Sequence, residues 1–230
     1  MQILLAAATP FEIAPTLEWL EQNFSRTEHG SFQLRRIAVF PLVTGPGAVA
    51  TCWHIARFLE HHPVSLALNA GIAGALDRSL AIGNVLNVTT ERFADLGVQE
   101  ADGRFTDLFE LGLVDADTRP FSGGELRNPA GGQATFLPEA QGITVNKVHG
   151  EKAAIEAIRE KYPKAQVESM EGAAFFYACL SENIPFVEIR SISNYVEPRN
   201  REAWNLPLAI GRLNETLQLL LESLDDLAGK

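Results

Sequence analysis

The chain has 230 residues, 46% of them hydrophobic and 21% charged, with 18 Gly and 12 Pro. That balance excludes disordered, collagenous and low-complexity chains, and the length suits one large domain. Acidic residues outnumber basic ones, 29 to 19, for a net charge of −10, and no Lys/Arg cluster offers the basic face a nucleic acid would need.

Residues 2–8 read as a short buried strand, and Thr9-Pro10-Phe11-Glu12 as a helix start with Thr9 as N-cap, Pro10 at N1 and Glu12 at N3. That helix carries Ile13, Leu17 and Leu20 on one face and ends near Asn23. Residues 31–43 have the pattern of a hairpin or strand pair. Gly45-Pro46-Gly47 is a turn, 48–61 a helix with Ile55, Phe58 and Leu59 inward, and 64–69 a continuous apolar strand covered on both faces. Gly71-Ile72-Ala73-Gly74 follows at once, and 84–90 is the next strand. From about 94 to 140 the pattern dissolves into Gly, Pro, Asp and scattered aromatics; this stretch reads as a functional flap with short elements of its own. Then come a strand (142–146), a helix (151–162), a strand (165–168), a helix (169–183), a strand (186–191) and a long amphipathic helix (207–227). The alternation predicts an α/β fold whose mostly parallel sheet is covered on both faces.

No apolar run approaches the ~20 residues of a membrane span, and no basic leader precedes the first strand. Cys52 and Cys179 stand alone in apolar segments, as reduced thiols of a cytoplasmic protein would.

In such folds ligands sit outside the carboxyl ends of the strands. That rule brings residues 9–12, 69–74, 146–149 with 169–171, and 193–204 to one rim. No phosphate-loop Gly-Lys-Ser/Thr, no Gly-x-Ser-x-Gly and no His pair at helical metal spacing is present. The rim instead holds two carboxylates, an Asn and an Arg. Glu12 fits a capping-box Glu that reaches back to the Thr9 amide, or a general base that activates water. Glu171, in Glu168-Ser169-Met170-Glu171-Gly172, fits a helix-start carboxylate with Ser169 as cap; beside the small Gly172-Ala173-Ala174 it also fits an acid that a ligand approaches closely. Arg190, Ser193 and Asn194 fall at a strand end, where a solvated Arg and a turn Asn are one reading and recognition of a heterocycle the other.

The stretch 167–174, followed by Pro185-Phe-Val-Glu-Ile-Arg-Ser-Ile-Ser-Asn194, resembles the purine nucleoside phosphorylase and hydrolase superfamily, near the methylthioadenosine/S-adenosylhomocysteine nucleosidases. Ala8-Thr-Pro-Phe-Glu12 is similar to that family's first turn with its catalytic Glu, and Gly71-Ile-Ala-Gly74 to its Gly-Ser-Ala-Gly turn. The resemblance spans nearly the whole chain and implies a three-layer αβα fold around a central mixed, mostly parallel sheet. Two positions depart from the pattern: Ile72 replaces a Ser, and Asn194 replaces the Asp that serves N7 and the 6-amino group in the adenine-specific enzymes. An Asn amide donates to the two acceptors N7 and O6 of hypoxanthine, where an Asp carboxylate would set acceptor against acceptor. A buried mismatch of that kind costs about 1–3 kcal/mol. Residues 193–204 and 143–149 further resemble the futalosine hydrolase branch, which releases hypoxanthine from futalosine in an alternative menaquinone route.

The resemblance implies catalytic roles for Glu12, as base toward water, and Asn194, at the leaving base. It implies ribose contacts from Glu171 and Met170 and a supporting Arg190. Ser193, Ile72, Ala73, Gly74, Val145, Val148 and His149 would complete the nucleoside site. Arg199, Arg201 and Arg104 are all candidates for the carboxylate on futalosine's 5′ side. No metal or organic cofactor is implied, since water is the nucleophile. The partners implied are a purine nucleoside, water and further copies of the chain, as a homodimer or homotetramer. The flap, with Phe105, Leu108 and Phe109 as apolar contacts, would then complete a neighbour's 5′ pocket. Phosphorolysis of inosine and cleavage of methylthioadenosine remain the alternative readings.

Overall fold

The structure, a computed structural model, describes residues 1–28 and 30–228. In chain order it comprises β1 (Gln2–Ala7), α1 (Pro10–Asn23), β2 (Ser25–Arg26), β3 (Phe32–Gln33), β4 (Ala38–Val43), α2 (Ala48–His61), β5 (Leu66–Ala75) and β6 (Val85–Glu91). The flap region contributes β7 (Gly97–Gln99), β8 (Phe105–Asp107) and β9 (Leu126–Arg127). There follow β10 (Glu139–Thr144), α3 (Lys152–Lys161), β11 (Val167–Ser169), α4 (Gly172–Glu182), β12 (Phe186–Tyr195) and α5 (Leu206–Leu227). No helix among the described residues is long and apolar enough to cross a membrane.

The strands lie in the order β11, β10, β6, β12, β5, β1, β4, β3, β2, with β9 beside β6. β1 pairs in parallel with β4 and β5, β5 with β12, and β10 with β6 and β11; β6 and β12 run antiparallel, so the sheet is mixed. Along β1 successive side chains face opposite layers. Ile3 and Leu5 pack with Ile13 and Leu20 of α1 and with Leu213, Leu217 and Leu221 of α5. Leu4 and Ala6 pack on the other side with Ile55 of α2 and Phe175 and Phe176 of α4. Helices on both faces make the three layers that the alternation of elements predicts.

Two strands run past the ends read from the sequence. β5 continues through Gly71-Ile72-Ala73-Gly74, which is strand rather than turn, and β12 continues through Asn194 to Tyr195. They pair from Phe186↔Ala67 to Tyr195↔Ala75, with a bulge between Ile192 and Asn194. The glycines of β5 therefore answer to close approach: a Cβ on Gly71 would lie 2.1 Å from Arg190 Nη1, and one on Gly74 would lie 2.9 Å from Val196 Cγ2. The end of β5 also meets β11 antiparallel, with Glu168 opposite Gly74. β5, β12, β6, β10 and β11 thus close on one another, and the rim residues face a ring rather than an open edge.

Ser169 is a second correction. Its backbone pairs with Thr144 in the β10–β11 ladder, so it is strand and cannot be helical, and α4 begins only at Gly172 with Glu171 at the N-cap position. The Ser169 hydroxyl still accepts from the Gly172 N–H at 3.3 Å. In the flap, Leu108 is buried and Phe109 packs edge-on against Phe121, which in turn meets Tyr177 of α4. Leu108 and Phe109 are thus packed within their own chain.

The Gly71 contact makes a stability prediction. Gly71→Ala should cost about 1–3 kcal/mol by overpacking, seen as a lower urea midpoint. Gly211→Ala, on α5 with open space around it, should be neutral or stabilising by up to about 1 kcal/mol.

Candidate active site

Glu12 is held by the start of α1. Pro10 and the extended Thr9 turn the chain from β1 into the helix, and the Glu12 side chain reaches back, so that Oε2 accepts from Thr9 N at 2.9 Å and Thr9 Oγ1 at 3.0 Å. Oε1 accepts from the Ile72 N–H at 3.1 Å. Both readings of Glu12 therefore coexist: the capping contact is made, and the same carboxylate crosses to β5. A carboxylate has about four lone-pair sites; three are occupied, which leaves one on Oε1. Thr9 N and Ile72 N, two backbone donors that suit an incoming anion, are already taken by this carboxylate.

Arg190 is buried, not solvated, at 1% exposure. Its Nε donates to Glu188 Oε1 at 2.7 Å, and Nη2 lies 4.0 Å from Glu171 Oε2. Nη1 and Glu12 Oε1 both crowd the bare Cα of Gly71. Glu171 Oε1 accepts from the Gly47 N–H at 2.9 Å, so the Gly45-Pro46-Gly47 turn before α2 also belongs to the site. Burial disfavours the Arg190 cation, but Glu188, Glu171, Glu12 and Glu91 together outweigh that effect and raise its pKa.

Glu188 and Glu91 are fully buried. Both direct their Oε1 atoms at the Gly172 backbone. Burial pushes Glu188 up to about 6, against the pull of Arg190. Burial and then the Glu188 charge hold Glu91 well above the usual carboxylate range, although Thr144 Oγ1 donates to its Oε2 at 2.9 Å. Glu91 Oε1 and Glu188 Oε2 have no hydrogen-bond partner among the described residues, which is where a proton on this pair belongs.

Asn194 stands opposite Gly74 in the β5–β12 ladder, with Nδ2 3.3 Å from the place a Gly74 Cβ would occupy. Its Oδ1 accepts from Ser193 Oγ at 2.8 Å and its Nδ2 donates to the Tyr195 carbonyl at 2.9 Å. The carbonyl can only accept, so it fixes which way the amide points, and the second N–H has no partner among the described residues. Gly74, Val148, His149, Glu168, Asn194 and Trp204 line one small cleft of about 70 Å³. Met170 lines a second hollow with Gly47, Val49, Trp53 and Asn146. The Ala73 carbonyl lies 3.3 Å from Ser193 Oγ.

Val145 departs from its expected place. Its N–H donates to the Ser169 carbonyl at 3.0 Å, which prolongs the β10–β11 ladder and leaves its fully buried side chain in the core with Ile143 and Ile155. Arg199 lies over the Trp204 ring beside the cleft, Arg104 lines a separate hollow past His149, and Arg201 is exposed. A larger hollow of about 760 Å³ under Leu66, Phe186 and Leu220 contains none of the candidate residues. Gly47, Glu91, Glu168 and Glu188 also border the candidate site and are not among the residues expected there from the sequence. A Glu inside the apolar strand Phe186-Val-Glu-Ile-Arg190, two residues from an Arg and so on the same face, was the available signal for Glu188.

Residues 2–224 match the family model of the phosphorylase superfamily, and the chain belongs to that superfamily. Within it the chain is 34% identical over 195 residues to the protein of Acidothermus cellulolyticus named futalosine hydrolase, covering 83% of this chain and 79% of the relative. It is 31% identical over 167 residues to the Streptomyces coelicolor protein of the same name, covering 73% of this chain and 69% of the relative. The fold is shared with the 5′-methylthioadenosine/S-adenosylhomocysteine nucleosidase of Neisseria meningitidis, at a TM-score of 0.77 and 18% identity over 96% of this chain and 99% of that one.

The buried acid pair makes a pH prediction. The Glu188 pKa rises from 4.5 to about 6 on folding, and Glu91 shifts the same way. The folded chain thus holds protons that the unfolded chain releases. Stability is full below the unfolded carboxylate value and falls as pH rises through the folded one. The melting temperature should drop as pH rises from 4.5 to about 6 with Glu188, and drop further where Glu91, raised in the same direction, ionises. Glu91→Gln, which mimics the protonated acid, should flatten that drop; an equal drop in the variant would contradict the assignment.

Proposed function

We propose that this protein hydrolyses the N-glycosidic bond of futalosine, releasing hypoxanthine and dehypoxanthine futalosine in an alternative menaquinone route. The observation that carries the reading is its 31% and 34% identity to two proteins named futalosine hydrolase over most of the chain. An Asn at position 194, with one N–H free beside the cleft, supports a base that presents acceptors. The chain acts as a single nucleoside hydrolase domain, 1–230, with a flap at about 94–140.

Bond breaking leaves positive charge on the ribose and sends an electron pair into the purine. Asn194 donates to the hypoxanthine edge as that charge grows, from a position preset by Ser193 and Tyr195. Glu12 orients a water with its remaining lone pair on Oε1 and takes its proton. Glu171 accepts from the ribose hydroxyls, Met170 packs on the sugar, and Arg190 holds Glu171 and Glu12 in register. Ile72, through its N–H, and Gly74, through its missing side chain, shape the sugar and base sides, with the Val148–His149 stretch bordering the purine. Water suits this site better than phosphate, because the Thr9 and Ile72 amides already hold a carboxylate, and a second anion there would be repelled. The chain works in the cytoplasm as a homodimer or homotetramer. Val49 and Trp53 of α2, 82% and 61% exposed beside the Met170 hollow, support cover by another copy.

Incubation with futalosine, inosine, aminodeoxyfutalosine and methylthioadenosine, each with and without phosphate, tests the reading. Hypoxanthine should appear from futalosine at a phosphate-independent rate; release of adenine from methylthioadenosine alone would overturn it. Glu12→Gln should bind substrate but turn over about 10²–10⁴-fold more slowly. Asn194→Asp should shift preference toward 6-aminopurines by roughly tenfold or more, and an unchanged 6-oxo/6-amino ratio would remove Asn194 from the account.

A further inference from the structure

On the reading above, the leaving base is only half served. Hypoxanthine presents two acceptors, N7 and O6, along one edge. Asn194 has a single N–H for that edge, because Tyr195 O takes the other and Ser193 Oγ occupies Oδ1. An amide also has no proton to transfer. The electron pair released from the C1′–N9 bond needs a second group, and one able to protonate the ring.

His149 stands in the same cleft as Gly74 and Asn194. Its Nδ1 hydrogen-bonds Glu168 Oε2, and its backbone N–H donates to Glu168 Oε1 at 3.0 Å. Both oxygens of Glu168, a residue only 4% exposed, are thus committed to one histidine. This fixes the ring and assigns the Nδ1 proton to the carboxylate, leaving Nε2 on the opposite side of the ring. Among the described residues no protein group hydrogen-bonds Nε2. The placement follows from strand register: Glu168 of β11 and Asn194 of β12 both stand opposite Gly74 of β5. A carboxylate and an amide therefore flank one position that has no side chain, and the carboxylate carries the imidazole.

We propose that His149, positioned by Glu168, is the general acid that protonates the leaving purine, while Asn194 donates to O6. His149 enters as the imidazolium. The C1′–N9 bond breaks, its electron pair passes into the purine, the Nε2 proton goes to N7, and hypoxanthine leaves neutral. The water oxygen bonds to C1′ and its proton goes to Glu12; solvent then carries a proton from Glu12 back to His149. One water is consumed and the enzyme is restored.

Other charged or titratable groups face His149. In the cleft they are Tyr195, Glu197, which Arg78 holds at 2.7 Å, and Arg199, which lies over Trp204. Across the neighbouring hollow stand Asp95, Arg104, Glu110, Lys147, Glu160 and Lys161. Glu168 is the one in contact with the ring among the described residues.

The test is hypoxanthine release from futalosine by the full chain across about pH 5 to about pH 9, with His149→Gln and Glu168→Gln beside the wild type. His149→Gln keeps a donor but has no proton to transfer. Its kcat should fall about 10²–10⁴-fold with KM changed only a few-fold, and the wild-type loss of kcat toward alkaline pH should vanish. Glu168→Gln keeps the imidazole and should move that alkaline limb to lower pH. A His149→Gln variant with wild-type kcat, or with the alkaline limb intact, overturns the assignment. Should His149→Gln fail to fold by thermal melting, an unmoved limb in Glu168→Gln overturns it equally. A wild type that releases no hypoxanthine defeats the futalosine reading and this inference together; one that releases it regardless of His149 defeats the inference alone.

Discussion

One buried cation organises this site. Arg190 is wholly enclosed, and it meets Glu188 at 2.7 Å, Glu171 at 4.0 Å and, across Gly71, Glu12. Removing a partner from such a group leaves an uncompensated buried charge, typically at a cost of about 3–5 kcal/mol. The arrangement is therefore conditional on every member. Gly71 has to be glycine for the guanidinium to fit. Glu188 has to alternate with Arg190 on β12 so that both face the same layer. The acids in turn exceed what one cation can balance, which is why burial and mutual repulsion raise Glu188 and Glu91 above the ordinary carboxylate range.

Closure of the sheet does the rest. If β5 ended at Asn69, Asn194 and Glu168 would stand at separate strand ends. Because β5 continues to Ala75 and bends from β12 toward β11, both residues meet at Gly74. The same strand gives its Ile72 N–H to Glu12 two positions earlier. Glu12 and the Asn194–Glu168 pair are thus spaced along one strand, at Ile72 and Gly74.

Much of this was legible in the sequence. The N-cap and N3 chemistry of Thr9-Pro10-Phe11-Glu12 located the first helix, and 48–61 was read with the bounds that α2 has. The alternation of elements implied the layers. The strand ends were not legible, because glycines that make room for a neighbour look the same in sequence as glycines that turn a chain. Gly71 and Gly74 became interpretable only once Arg190 and Val196 were seen against them. Ser169 looked like a cap because a hydroxyl before a helix usually is one, and only the β10–β11 ladder shows it to be strand. Val145 belongs to a stretch whose pattern leads toward the rim, yet its N–H prolongs the β10–β11 ladder and its side chain lies in the core with Ile143 and Ile155. The acid pair Glu91 and Glu188 is joined through pairing of β6 with β12, a long-range contact that local pattern does not reveal.

In the proposed reaction water, activated at Glu12, attacks the sugar of a 6-oxopurine nucleoside whose base departs past Asn194. Turnover of futalosine in ¹⁸O-labelled water, with phosphate present, measures this directly through the mass of the sugar product. One labelled oxygen on the anomeric carbon is expected for each hypoxanthine released. A sugar phosphate carrying no label would contradict it.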